Sequence, residues 1–251
     1  MPLNESKGHM YSWVTHTHTH LGGECPHKCS YCYVDHGFMG TPRPKRYCGP
    51  LRLIENEFKV NYGSGKTIFV EHKNDLFCKD VSNFFVLKIV AHCLEWPDNT
   101  YVYQTKNPAR YLEMDEFFPS GSILGCTIET NRAFPMFSFS PSPEMRMLAM
   151  EKLKARKFVT IEPVIDFDVD ILAAWIDRIR PEFLNLGADS KGHKLPEPSI
   201  EKINALGIKL KEYGIELREK HNLERLKQKE IRNENSLRVV KRVAGRDGRI
   251  V

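Results

Sequence analysis

Short apolar runs alternate with amphipathic stretches along most of this chain, and that alternation constrains its fold more than any other feature. Candidate strands cover residues 12–19, 67–71, 101–105, 123–129, 158–163 and 183–187, with a weaker seventh at 215–218. They are rich in Val, Ile, Phe, Tyr and Thr, with turn residues nearby. Helical stretches lie between them. Residues 80–94 carry Val81, Phe84, Phe85, Leu87, Ile89 and Val90, and 142–157 open on Ser-Pro-Glu and end in a basic turn. Residues 168–179 and 198–213 complete the set, and a helix between the first two strands is expected around 51–58. Strand–helix alternation implies a parallel sheet with right-handed crossovers. The fold class expected is α/β, a partial (β/α)6 TIM-like barrel of parallel strands with outer helices, over residues 12–218. Residues 1–11 read as an N-terminal extension and 219–251 as a basic C-terminal extension.

Composition supports a packed domain. Hydrophobic residues make up 41% and charged residues 27% of the 251, enough apolar material for a core. No apolar run approaches the ~18 residues of a membrane span, and the first ten residues have no signal-peptide core. A soluble, cytoplasmic protein without membrane contact is expected. Net charge is +5. From residue 208 onward there are 13 Lys/Arg against 7 Asp/Glu. A basic end of this kind suits nucleic acid, and it equally suits a solvated helix face with a tail.

In a parallel barrel, functional residues gather at the strand C-termini and the loops that follow. Here those positions read His-Thr-His-Leu (18–21), Glu-His-Lys-Asn-Asp (71–75), Gln-Thr-Lys-Asn (104–107), Thr-Ile-Glu-Thr-Asn (127–131), Glu-Pro (162–163) and Ala-Asp-Ser (188–190). The run THTHTH (15–20) resembles a metal-binding histidine tract. A strand places its three histidines on one face and its threonines on the other. The histidines are expected to fill the barrel interior; facing the mouth, they could move protons or hold an anion.

The most specific motif is Cys25-Pro-His-Lys-Cys29-Ser-Tyr-Cys32, behind a flexible Leu21-Gly22-Gly23. Three thiolates on one loop can converge on one site, and soft sulfur ligands select zinc, Cu(I) or iron–sulfur clusters. A closed zinc site wants four ligands. His27 could be the fourth only with awkward geometry, and Cys48, Cys78, Cys93 and Cys126 are scattered. Three ligands on a four-iron cubane leave one iron open to a small molecule. A non-enzymatic zinc-binding structural module is the alternative.

The triplet, with the aromatic Tyr31 just before its third cysteine and the βα units behind it, resembles the radical S-adenosylmethionine (SAM) superfamily. The resemblance covers roughly residues 12–218. It implies that Cys25, Cys29 and Cys32 bind a [4Fe–4S] cluster whose open iron chelates S-adenosyl-L-methionine, and that reductive cleavage yields a 5′-deoxyadenosyl radical that abstracts hydrogen from a substrate. An electron donor such as flavodoxin or ferredoxin is implied as partner. By position, the resemblance puts Tyr31 near adenine, Asn74 and Asp75 on the SAM amino group, and Lys106 on the methionine carboxylate. It puts Glu129, Thr130 or Asn131 on the ribose hydroxyls, and the backbone around Glu162 beside the adenine. The usual Gly-Gly-Glu after the second strand is missing here; the literal Gly22-Gly23-Glu24 lies elsewhere.

The spacing is similar to spore photoproduct lyase and its relatives, compact members that act on DNA damage, and Lys73-Asn74-Asp75-Leu76 looks like their motif after the second strand. That lyase returns a hydrogen from a cysteine two residues before the SAM-contacting position. Here His72 stands there, which puts repair of that form in doubt, and Cys78 is the candidate substitute. The nearer resemblance is to an uncharacterised phage and prokaryotic radical SAM set related to that lyase, through Asp75-Leu76-Phe77, Thr105-Lys106-Asn107-Pro108 and Glu162-Pro163, and it implies fold and cofactor but no substrate. The resemblance leaves the reaction on the substrate open between lyase and transferase or modification chemistry. For substrate, the loop at 36–50 carries Arg43, Lys45 and Arg46 with Phe38 and Tyr47, a mixture that suits a nucleic acid strand or nucleotide, entered as a flipped or single-stranded base. Solvated charge is the competing reading.

Overall fold

The computed structural model describes residues 3–7, 11–35, 42–133 and 137–228. Its centre is a sheet of eight strands. The first, β1 (Asn4–Glu5), runs antiparallel to β2 (His16–His18). A small antiparallel pair, β3 (Leu21–Gly22) and β4 (Arg52–Leu53), stands apart from the main sheet. The remaining strands are parallel and follow chain order after β2: β5 (Thr67–Val70), β6 (Thr100–Thr105), β7 (Ile123–Thr127), β8 (Lys157–Ile161), β9 (Phe183–Leu186) and β10 (Glu216–Glu219). The two edges do not pair, so this is an open, partial (β/α) barrel. The expected fold class holds.

Helices cross between successive parallel strands from β5 onward: α1 (Asn83–Leu94), α2 (Ala109–Leu112), α3 (Pro143–Lys152), α4 (Val169–Ile179) and α5 (Ile200–Glu212). Ser82, Ser142 and Ser199 cap three of them by accepting from a first-turn amide. The helix expected around 51–58 is not one. That stretch holds β4 and a single 3-10 turn, Glu55–Lys59, in which Glu57 turns inward. The short α2 was not anticipated, because four residues show no period.

Strand register sorts the side chains into two layers. Val70, Tyr101, Tyr103, Leu124, Cys126, Val159, Ile161, Leu184 and Leu186 pack outward beneath the helices in the larger core. Phe69, Val102, Ile123, Phe158 and Phe183 point to the concave side, where Tyr11 and Val14 fill the floor and Trp13 packs against it. Phe158 stacks on Phe183 with ring centroids 5.3 Å apart, and Trp13 meets Phe183 edge-on at 5.1 Å. Such pairs add about 0.5–1.5 kcal/mol each beyond burial. Gly125 lies opposite Phe158 in the register, and a Cβ there would sit 2.1 Å from the ring.

Above this floor is a polar ring. Tyr11 donates to Gln104 Oε1 (2.7 Å) and lies 2.8 Å from Thr160 Oγ1; Gln104 donates to Thr127 (2.8 Å). Two residues further along the same strands, the concave face continues to Lys106, Glu129 and Glu162 at the mouth.

Two expectations are corrected here. The histidines of the THTHTH run do not fill the barrel interior. Thr17 pairs with Phe69 on the concave face, so His18, alongside Val70, faces the outer layer, where His18 and His20 pack with Phe58, Tyr62 and His92. The Leu21-Gly22-Gly23 stretch is no hinge. Leu21 and Gly22 are strand residues paired with β4, and Gly23, at φ +92°, leaves only 2.2 Å between a would-be Cβ and the Pro50 carbonyl.

Candidate active site

The cysteine loop leaves β3 and lies across the strand C-termini. Three kinds of contact hold it. Asn74 donates to the Gly23 carbonyl (3.1 Å). The amides of Ser30 and Phe139 reach the carbonyls of Phe137 and His27, tying the loop to the connection after β7. The third is Asp75. Its buried carboxylate accepts from His27 Nε2 (2.9 Å), Thr105 Oγ1 (2.7 Å) and the amides of Lys106 (2.8 Å) and Phe77 (3.0 Å). Burial opposes the His27 charge, but Asp75 outweighs it and lifts the imidazole to about 9. The other ring nitrogen lies 3.8 Å from Cys78 Sγ. Both nitrogens of His27 are therefore committed away from the three cysteines.

Beside Cys29 sits a second buried cluster. Glu129, two residues past β7, accepts from Lys106 Nζ (2.6 Å), Arg146 Nη1 (2.7 Å) and the Tyr31 hydroxyl. Burial works against its charge, yet Arg146 and Lys106 hold the carboxyl well below its usual range. Arg146, only 4% exposed, also donates to the carbonyls of Thr127 (2.9 Å) and Pro141 (2.7 Å) and to Ser140 (2.6 Å). Lys106 Nζ lies 5.2 Å from the centre of the Tyr31 ring. Burial opposes the Lys106 charge, but Glu129 and Cys29 raise its pKa on balance. Two cations face one carboxylate, so the mouth carries surplus positive charge against Cys29. Lys106 has donors to spare for an arriving anion.

By its chemistry the donor set suits a thiolate-held cluster, while the group whose ligand atoms lie within 4.8 Å of one another among the described residues is His18, His20 and His92 and not the three cysteines. Cys25, Cys29 and Cys32 are free of disulfides and partly or fully buried. As thiols they are pushed up by burial, Cys25 further by Asp75. A bound cation reverses that preference and makes them thiolates. Three cysteines with no fourth side-chain ligand among the described residues suit a cluster with one open iron better than a closed zinc site.

The other sequence-predicted residues are placed as follows. Thr130 donates to the Asp166 carbonyl (2.7 Å), and Asn131 accepts from the Asp168 amide (2.8 Å); both pin the end of β7 to the loop before α4. Glu162 accepts from Lys220 (2.7 Å) and Asn222 (2.8 Å), in the stretch read as C-terminal extension, whose Leu223 and Leu226 are buried in the core. His72 Nδ1 lies 3.1 Å from Thr19 Oγ1, and burial with Lys73 and other nearby charges pushes it down to about 4, a neutral imidazole near the mouth. Cys78 lies apart. Its thiol is 2% exposed, on the core side of the loop, facing His27 and Asp80 (3.6 Å). Arg43 pairs with Glu24 (2.9 Å) and Asp35 (2.8 Å), and Arg46 with Glu57 (2.9 Å), so these cations have acidic partners within the chain. His36 and Phe38, and the basic end after 228, lie outside the described residues. Sequence reasoning missed Arg146, which looked like one more basic residue on a helix, and the role of His27 with Asp75.

A partial parallel barrel with three cysteines over its mouth is the class of molecule that fold and site define. Comparison with solved structures agrees on the fold. A double mutant of spore photoproduct lyase with bound AdoMet and dinucleoside spore photoproduct matches with a TM-score of 0.61 and 11% identity, over 86% of this chain and 78% of that one. The lyase complexed with dinucleoside spore photoproduct matches with a TM-score of 0.61 and 12% identity, over the same shares. No family model and no curated protein matches the sequence. At that identity the structural likenesses show the fold alone. No helix among the described residues is long and apolar enough to cross a membrane.

Proposed function

We propose that this protein is a radical SAM enzyme acting on a nucleic acid component. The observation that carries the reading is the cysteine triplet, whose nearest other candidate ligand among the described residues, His27, is bound to Asp75 and turned toward Cys78. When bound, the [4Fe–4S] cluster and S-adenosyl-L-methionine supply one-electron cleavage chemistry and a hydrogen-abstracting radical; the protein binds, orients and excludes water.

Cys25, Cys29 and Cys32 hold the cluster. Lys106, with its unused donors, holds the SAM carboxylate, and Tyr31 orients the cofactor from the side of Glu129. Asn74 and Asp75 act chiefly by fixing the loop, since Asp75 already accepts four donors. Thr130, Asn131 and Glu162 shape the rim where ribose and adenine are held. His72, as a neutral imidazole, and Cys78, against the cysteine loop, are the candidate catalytic groups. A nucleic acid substrate is supported by the likeness to a lyase solved with a dinucleoside photoproduct, and a flavodoxin or ferredoxin supplies the electron. The site of action is cytoplasmic.

The test is anaerobic reconstitution with iron and sulfide, reduction, addition of SAM and assay of 5′-deoxyadenosine. The nucleoside should appear and depend on all three cysteines. Zinc held by sulfur at the triplet, with no sulfide and no cleavage, returns the protein to the structural-metal reading.

A further inference from the structure

A second constellation lies on the opposite face of the same sheet. His18 and His20 project outward from the first parallel strand and its continuation, and His92 meets them from α1. Each turns one ring nitrogen to a group that can only accept. His18 Nε2–H donates to Glu57 Oε2 (2.8 Å), His20 Nδ1–H to Glu71 Oε1 (2.8 Å) and His92 Nε2–H to the Val60 carbonyl (3.2 Å). Glu57 and Glu71 are acceptors with further donors of their own, Arg46 on one and the amides of His20 and Leu21 on the other. These acceptors fix all three tautomers.

The remaining nitrogens, His18 Nδ1, His20 Nε2 and His92 Nδ1, are then lone pairs, and they converge within 4.8 Å of one another. His20 Nε2 and His92 Nδ1 are 2.9 Å apart. The Tyr62 hydroxyl lies 2.6 Å from His18 Nδ1 and 3.0 Å from His20 Nε2, and has one hydrogen to offer. Three lone pairs share that one hydrogen in a site where no histidine is more than 3% exposed. Buried acceptors facing each other without a hydrogen between them are costly, and a cation at their centre removes the conflict.

We propose that His18, His20 and His92 bind a divalent transition-metal ion of the zinc class, with the Tyr62 hydroxyl closing the fourth side. Imidazole donors suit such ions. The outer acceptors supply the orienting contacts that metal-bound histidines characteristically have. Closed and buried, the site is structural. It clips the first parallel strand to α1 and to the segment around Glu57 and Tyr62, which begins in the 3-10 turn Glu55–Lys59. It is independent of the cysteine triplet.

The test uses the full chain with Cys25, Cys29 and Cys32 all replaced by alanine, equilibrated with zinc and then freed of loose metal. A single zinc ion per chain should remain, with X-ray absorption showing imidazole nitrogen and oxygen neighbours and no sulfur. His92→Gln and His18→Ala should each reduce retained zinc at least tenfold, and chelation should lower the melting temperature of the parent. A folded parent that retains no zinc and melts identically with and without chelator overturns the proposal, and the cluster then holds a shared proton. If the histidine variants do not fold, the absorption spectrum of the parent decides alone. If the cysteine-free parent does not fold, the same spectrum is taken on the intact, cluster-loaded protein. There a zinc shell of imidazole nitrogen and oxygen without sulfur supports the site, and a sulfur shell or absence of zinc refutes it.

Discussion

The two faces of the first parallel strand and its neighbours carry two polar clusters of opposite character. On the concave side, Lys106 and Arg146 converge on Glu129 beside Cys29, with an excess of positive charge in a buried cluster at the strand C-termini. On the outer side, His18, His20 and His92 converge under α1 with their lone pairs inward and carboxylates behind them. The first is built to receive something anionic that arrives and leaves. The second is built to retain a cation. A strand that alternates Thr and His every residue serves both faces at once.

Several changes test that contrast. The largest effect should come from Cys29→Ala. Cluster assembly and SAM cleavage should disappear together, read by iron content and 5′-deoxyadenosine, with the histidine cluster undisturbed. Full cleavage by that variant would sink the assignment.

Next is Glu129→Gln, which leaves Lys106 and the buried Arg146 without their shared anion. Breaking a buried pair in this way costs about 3–5 kcal/mol, so urea unfolding should show a loss of that order. A loss no larger than that of a surface pair would mean that the concave cluster is solvated and the contrast between the faces is false.

Asp75→Asn removes the charge that accepts from His27 and three other donors. Hydrogen bonds to charged groups contribute roughly 1.5–3 kcal/mol, and the loss should fall on the loop, seen as lower iron occupancy per chain. Unchanged occupancy would show that the contacts at Phe137 and Gly23 suffice.

Lys106→Ala should leave the cluster spectrum intact while weakening SAM binding roughly tenfold, about the value of one charge-assisted bond. Equal SAM affinity, measured by titration, would remove Lys106 from the cofactor site. The smallest effect belongs to Arg156→Ala. Its pair with Glu182 (2.8 Å) is half exposed, and such pairs contribute at most ~1 kcal/mol. A larger shift in the unfolding midpoint would show that solvent-side charge matters more here than either cluster.

How much of this was legible in the sequence differs between the faces. The β/α alternation was enough for a partial barrel, because hydrophobic period is local and each strand and crossover carries its own signal. The cysteine triplet marked the mouth for the same reason, since its three ligands lie within eight residues. Lys106 and Glu129 were found as polar strand endings. What the sequence could not decide is which face a period-two pattern presents. THTHTH requires its histidines to share a face, but only the register against β5, with Thr17 beside Phe69, turned them outward. Nor could it decide partners. Glu129 meets Arg146 across a crossover, His20 meets His92 across 72 residues, and His27 meets Asp75 across 48. The extended crossover at 51–58 became a 3-10 turn because Glu57 is drawn inward by His18 and Arg46. Local periodicity therefore determined the frame and the cysteine loop, while charge pairing between distant segments, which leaves no local period, was decided only by tertiary packing.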